Sequence, residues 1–163
     1  MIRRRGEEMK TKIVLMIVTL LALAAFGVLA ANPHMGTWKL NEAKSRFAHG
    51  TMARNNTVVY EAAGDMIKVT VDGTDATGKH ARNEWTGKFD GKDYPVTGDA
   101  GSDMRSYRVI SANVMEITNK KDGKEVLTGR IVVSANGKTR TVTTHSTDAN
   151  GKKVTNTAVY DKQ

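Results

Sequence analysis

The chain has no cysteine and only two prolines, Pro33 and Pro95, among its 163 residues, and aromatic residues make up 6% of it. Without cysteine no disulfide can constrain the unfolded state and no thiolate can act as nucleophile or metal ligand, so stability must come from strand pairing and packing. The four histidines, His34, His49, His80 and His145, are scattered, and none stands at a metal-ligand spacing from another histidine or a carboxylate. Gly-x-Ser-x-Gly is absent, and Asp72-Gly73-Thr74-Asp75 lacks the further ligands and closing glutamate of a calcium loop. These absences leave no constellation for catalysis, so the expectation is a protein that is not an enzyme and holds neither metal nor cofactor. Few aromatics and dispersed basic charge argue against nucleic acid as a partner.

Long hydrophobic runs are also scarce. The one that stands out reaches from Ile13 to Ala31, preceded by Arg3, Arg4, Arg5, Lys10 and Lys12, and Val28-Leu29-Ala30 offers a signal-peptidase site. Residues 1–30 are therefore expected to form a signal helix cleaved after Ala30 or Ala31, with Met9 as a second possible start. The alternative is an inner-membrane anchor over residues 13–31. Either way the protein is expected to be exported, periplasmic or extracellular. Residues 31–163 are enough for a single domain. They carry about +5 of the chain's net +8, once five basic and two acidic residues of 1–30 are set aside. That charge is compatible with association with anionic envelope polymers or lipid surfaces, and a monomer is expected.

What the remainder does contain is alternation. Apolar residues recur at every second position in Ile67, Val69 and Val71 and again in Tyr107 and Val109, the period of a half-buried strand. Ala63-Gly64-Asp65, Asp90-Gly91, Asp122-Gly123, Asn136-Gly137 and Asn150-Gly151 punctuate these runs with residues that tolerate the positive φ of tight hairpins. The pattern predicts ten strands near 36–40, 57–62, 66–72, 80–89, 93–98, 104–110, 114–120, 124–134, 138–146 and 153–160. Residues 41–56 break it, with room for a helical turn or two capped by Asn41.

Gly36-Thr37-Trp38-Lys39-Leu40 resembles the opening strand of lipocalins and fatty-acid-binding proteins. Glu84-Trp85-Thr86-Gly87-Lys88-Phe89-Asp90-Gly91, Asp93 to Gly98, Gly129 to Ser134 and Asn156 to Tyr160 extend the likeness to small exported bacterial lipocalin-like, calycin-type proteins. The resemblance implies an all-β fold, an antiparallel up-and-down barrel of about ten strands. It also implies an arginine from a late strand over the Gly-x-Trp tryptophan, a role that suits Arg140, with Gly36 and Trp38 forming a structural barrel end.

An internal repeat supports closure. Residues 58–83 lie over 131–156 without a gap, and 11 of the 26 positions are identical, most clearly in Thr74-Asp75-Ala76-x-Gly78-Lys79 against Thr147-Asp148-Ala149-x-Gly151-Lys152. Each copy covers three strands, so the two suggest similar halves of one sheet that curls until its ends meet. The repeat also assigns faces. If Ile67, Val69 and Val71 point inward, so do Arg140, Val142 and Thr144, and Asn83 is echoed by Asn156. It pairs His145 with Asp72 near a turn, which opposes haem ligation.

The interior so inferred is mixed. Arg105, Tyr107 and Arg140, with Asn83, would hold the polar end of an amphipathic molecule, while Trp85, Phe89, Met115, Ile117 and Ile131 would line its apolar part. The functional expectation is an exported binding protein that holds a small hydrophobic or amphipathic ligand. The alternative is a filled barrel whose outer surface recognises a protein or cell-envelope polymer.

Overall fold

A computed structural model describes residues 32–48, 53–75, 77–148 and 150–163. The expected signal or anchor segment lies outside the described residues, as does His49. Ten strands follow in order: β1 (Gly36–Leu40), β2 (Arg54–Ala63), β3 (Met66–Thr74), β4 (His80–Gly87), β5 (Tyr94–Thr97), β6 (Met104–Ser111), β7 (Val114–Lys121), β8 (Lys124–Val133), β9 (Thr139–Thr147) and β10 (Lys153–Lys162). Each pairs antiparallel with its neighbour in sequence, and β1 closes the ring by pairing with β10 through Trp38↔Lys162 and Leu40↔Tyr160. The described residues thus form an all-β, closed up-and-down barrel of ten strands. Closure removes the free edges that an open sheet of this size would leave unpaired.

Alternation produces the strands and turn chemistry ends them. On β3, Val69 and Val71 are buried between the less buried Lys68, Thr70 and Asp72. Asp122 and Gly123, both at positive φ (50° and 74°), join β7 to β8 where Lys121 faces Lys124. That left-handed pair supplies the twist a two-residue hairpin requires.

Several boundaries differ from the sequence pattern: β3 and β10 each run two residues further, to Thr74 and Lys162, and three other differences matter more. β2 starts at Arg54 rather than near 57. β4 stops at Gly87, where a Cβ would stand 2.5 Å from the Tyr94 ring, so Phe89 leaves the strand yet still packs on the core. The insert after β1 forms a single 3-10 turn, Glu42–Lys44, with Asn41 Oδ1 accepting from Lys44 N at 3.2 Å. It then runs along β10: Arg46 N donates to Thr157 O at 2.7 Å, and Val159 N donates to Ser45 Oγ at 2.9 Å. Backbone pairing with β10 takes the groups that further helical turns would have used.

The repeat survives in the register. Val71↔Asn83 and Ile67↔Gly87 in β3–β4 correspond to Thr144↔Asn156 and Arg140↔Tyr160 in β9–β10. In the preceding hairpins the match slips, because Val58 faces Val71 whereas Ile131 faces Val142. A slip of about two residues preserves the faces, since side chains alternate with period 2.

The two ends of the cylinder differ. At the floor, where β1 begins and β10 ends, Trp38, Tyr60, Arg140 and Tyr160 are buried together. At the mouth, where β6 begins and β7 ends, Arg105 and Asn119 are buried side by side.

Candidate functional site

The floor is built around a cation. Arg140 is 1% exposed, and its guanidinium carbon lies 5.1 Å from the Trp38 ring, 5.1 Å from Tyr60 and 4.6 Å from Tyr160. Three electron-rich faces stabilise a charge that no carboxylate among the described residues neutralises. Its Nε and Nη1, and both ring nitrogens of His34, are buried without a hydrogen-bond partner among the described residues. Trp38 Nε1 donates to the His34 carbonyl at 2.9 Å, which fixes the turn before β1 against the ring. Burial, with Arg140 and Lys162 nearby, lowers the His34 pKa to about 4, so the imidazole is neutral at pH 7.

The middle is aromatic. The Trp85 and Tyr107 rings meet edge to face at 4.8 Å, Trp85 stacks on Phe89 at 6.3 Å, and Tyr60 reaches Tyr107 at 6.1 Å. Trp85 Nε1 donates to the Arg105 carbonyl at 2.8 Å. Burial, then the neighbouring Tyr60 hydroxyl, pushes the Tyr107 phenol well above its usual range, and burial pushes Tyr160 up to about 12. Met115 and Ile131 complete this layer, both buried, and Ile117 is half-buried beside it.

At the mouth, Arg105 is 5% exposed and its guanidinium has three acceptors: Asn119 Oδ1 at 2.9 Å, Asn83 Oδ1 at 3.1 Å and Asp99 Oδ2 at 3.1 Å. Asn156, the counterpart of Asn83, accepts from Ala48 N at 2.7 Å and ties the insert after β1 to the same end.

The residues expected to hold a ligand therefore divide. Trp85, Phe89 and Tyr107 come together, with Met115 and Ile131 in the same core, and Asn83 joins Arg105. Arg140 does not join Arg105: the two stand at opposite ends of the cylinder. The sequence reading did not single out Tyr60, His34, Asn119 and Asp99. The alternation Val58, Tyr60 carries a signal for the first, whereas Asp99 sits in a connection with no periodicity to reveal it.

The outer wall is different. Two hollows, of about 420 and 460 Å³, lie on the outside of β6–β9 and share Glu116 and Thr118. The first is overhung by Gly91–Asp93 and closed by an ion pair between Lys120 Nζ and Asp93 Oδ2 at 2.7 Å. The second runs over Thr118, Thr128, Arg130, Thr143 and His145. In register, Glu116 faces Arg130 and Arg130 faces Thr143, while Thr118 faces Thr128 and Thr128 faces His145.

Gly129 lies in the wall of the second hollow. A Cβ there would come within 3.0 Å of Thr144 Cγ2 and 3.1 Å of Ile117 Cγ2, so β8 packs closely against its neighbours at this point. Among the described residues no three His, Asp or Glu side chains gather as a metal site. No protein-family model matches this chain, and no curated protein matches it significantly.

Proposed function

We propose that this protein is an exported, filled-core barrel of lipocalin-like type that binds through its outer wall and carries out no chemistry, taking an extended polymer of the cell envelope along the β6–β9 hollows. The observation that carries this reading is a continuous line of side chains across the lumen. Arg140 on β9 meets Tyr60 on β2, Tyr60 meets Tyr107 on β6, and Tyr107 meets Trp85 on β4. Little axial space remains at that level, and the polar groups expected to bind a ligand at the mouth already have partners.

The character of the hollows favours a polymer over a folded protein. Protein interfaces are anchored by aromatic residues, and Trp38, Tyr60, Trp85, Tyr107 and Tyr160 are all turned into the core. The second hollow offers hydroxyls, a guanidinium, a carboxylate and an imidazole instead, beside Ile117 and Val132.

A second reading, a small apolar ligand at the mouth half, is favoured by one observation. Ile117, Val142 and Ala158 point inward and pack on the core yet keep partial exposure. One experiment separates the two. The protein purified from its own compartment is analysed by native mass spectrometry, and in parallel sedimented with isolated envelope polymer before and after a Thr128→Trp substitution that fills the hollow. A bare mass with substitution-sensitive sedimentation supports the outer-wall reading. A stoichiometric co-purifying amphiphile with no polymer binding overturns it in favour of the interior.

A further inference from the structure

The outer wall carries a charge with no counterpart. Arg108 on β6, Glu116 on β7 and Arg130 on β8 stand in one cross-strand row, so a single carboxylate lies between two guanidiniums. Glu116 is committed to Arg108, whose Nη2 it binds through Oε2. Arg130 is left exposed, with no ion-pair or hydrogen-bond partner among the described residues. Its next neighbour in the row is Thr143, which is neutral.

We propose that the hollow at Arg130 is an oxyanion subsite that seats a phosphodiester group of an envelope polymer. This rests on the outer-wall reading and adds to it the chemistry of the partner. The donors come from three strands, Thr118 on β7, Arg130 and Thr128 on β8, Thr143 and His145 on β9, and the hollow's one carboxylate, Glu116, is turned to Arg108. A group approached from three sides is better matched by a tetrahedral anion than by a planar carboxylate, and a guanidinium is the side chain suited to a two-pronged grip on phosphate. The hollow, of about 460 Å³, has room for such a group. Flanking Val126 and Val132, 38% and 39% exposed, give the aliphatic backbone of such a polymer something to lie against.

An extended chain, not a lipid bilayer, is the source that fits. The subsite is a recess in the wall of a cylinder, and a planar surface meets the rims of a recess rather than its floor. The test uses the full chain and fluorescently labelled synthetic poly(glycerol phosphate), with binding read by anisotropy at two salt concentrations. Binding is expected to weaken with salt and to fall roughly tenfold in Arg130→Gln, a loss within the range of a charge-assisted pair. Lys79→Gln, a remote charge removal on a hairpin tip, should leave it unchanged.

Equal binding by wild type and Arg130→Gln overturns the subsite, as does equal competition by polyglutamate of matched charge. Stronger depletion by vesicles of phosphatidylcholine and phosphatidylglycerol in equal parts overturns the polymer source. Failure of poly(glycerol phosphate) alongside Thr128-dependent binding of a neutral glycan polymer removes this inference while leaving the outer-wall reading in place. Failure of every polymer removes both.

Discussion

The guanidinium of Arg105 on β6 and the carboxylate of Asp99 in the β5–β6 connection meet at 3.1 Å, with the arginine buried and the aspartate three-quarters shielded from solvent. The same guanidinium reaches Asn83 on β4 and Asn119 on β7, so one side chain spans the short β5 and braces the barrel where only Tyr94↔Arg105 and Pro95↔Met104 pair β5 with β6. Arg105→Ala leaves three acceptors at the mouth without their donor. The expected cost is about 3 kcal/mol in urea denaturation, in line with breaking a largely buried ion pair. An unchanged midpoint would mean that solvent already serves these groups.

The floor calls for the opposite logic. Arg140 is buried with its Nε and Nη1 unpartnered among the described residues, and its charge lies against the rings of Trp38, Tyr60 and Tyr160. Trp38→Ala removes the largest of these rings and the bond to the His34 carbonyl and should cost roughly 3–5 kcal/mol. Arg140→Met fills a similar volume without a charge and is expected to be neutral or stabilising, as for other buried ions replaced by apolar groups. A loss on Arg140→Met as large as that on Trp38→Ala would show that the cation is what holds the floor together.

Fold and site were legible to different degrees, for physical reasons. Strand faces follow from period 2, and the repeat carried the inward assignment from Ile67, Val69 and Val71 to Arg140 and Val142; β3 keeps the alternation at Val69 and Val71, while on β9 Arg140 is buried and Val142 packs on the core part-buried. The end of β4 was not legible, because it depends on how near the Tyr94 ring comes to Gly87 across the sheet. The partners of Arg105 were hidden for a similar reason. Asn83 and Asn119 lie on neighbouring strands and Asp99 in a connection, and the sequence signals a buried arginine without revealing whether ligand or protein completes it. The outer hollow was hidden too, because its lining comes from three strands that meet only in register.

His34 makes the floor sensitive to acid. Its folded pKa of about 4 lies below the ordinary histidine value of 6.5, so between these limits the unfolded chain binds the extra proton. Stability should therefore be fully present above about pH 6.5 and decline as pH falls toward 4, by an amount on the order of 3 kcal/mol. The carboxylates with shifted values, such as Asp65, Asp75 and Asp161, are lowered and so weaken the fold only at still lower pH. Urea midpoints measured at half-unit intervals from pH 7 to 4 should show this decline in the wild type and lose most of it in His34→Gln. A wild-type profile flat to pH 4.5 would mean that the imidazole reaches water.

Gly129 links the packing of the barrel to the shape of its outer wall, and a graded series tests the link. A Cβ at this position would come within 2.7 Å of the Thr143 carbonyl oxygen, which belongs to the β8–β9 ladder and can move only if the strands separate. Gly129→Ala should therefore destabilise the fold, and Gly129→Val, which adds two methyls toward Ile117 and Thr144, should cost more, within the roughly 1–3 kcal/mol typical of overpacking. Separating β8 from β9 at this point should distort the hollow that Arg130 lines, which spans both strands, in both variants. Polymer sedimentation at a temperature where each variant stays folded should then fall in the order wild type, Ala, Val. Variants that bind as wild type despite lowered melting temperatures would separate the two roles and assign Gly129 to packing alone.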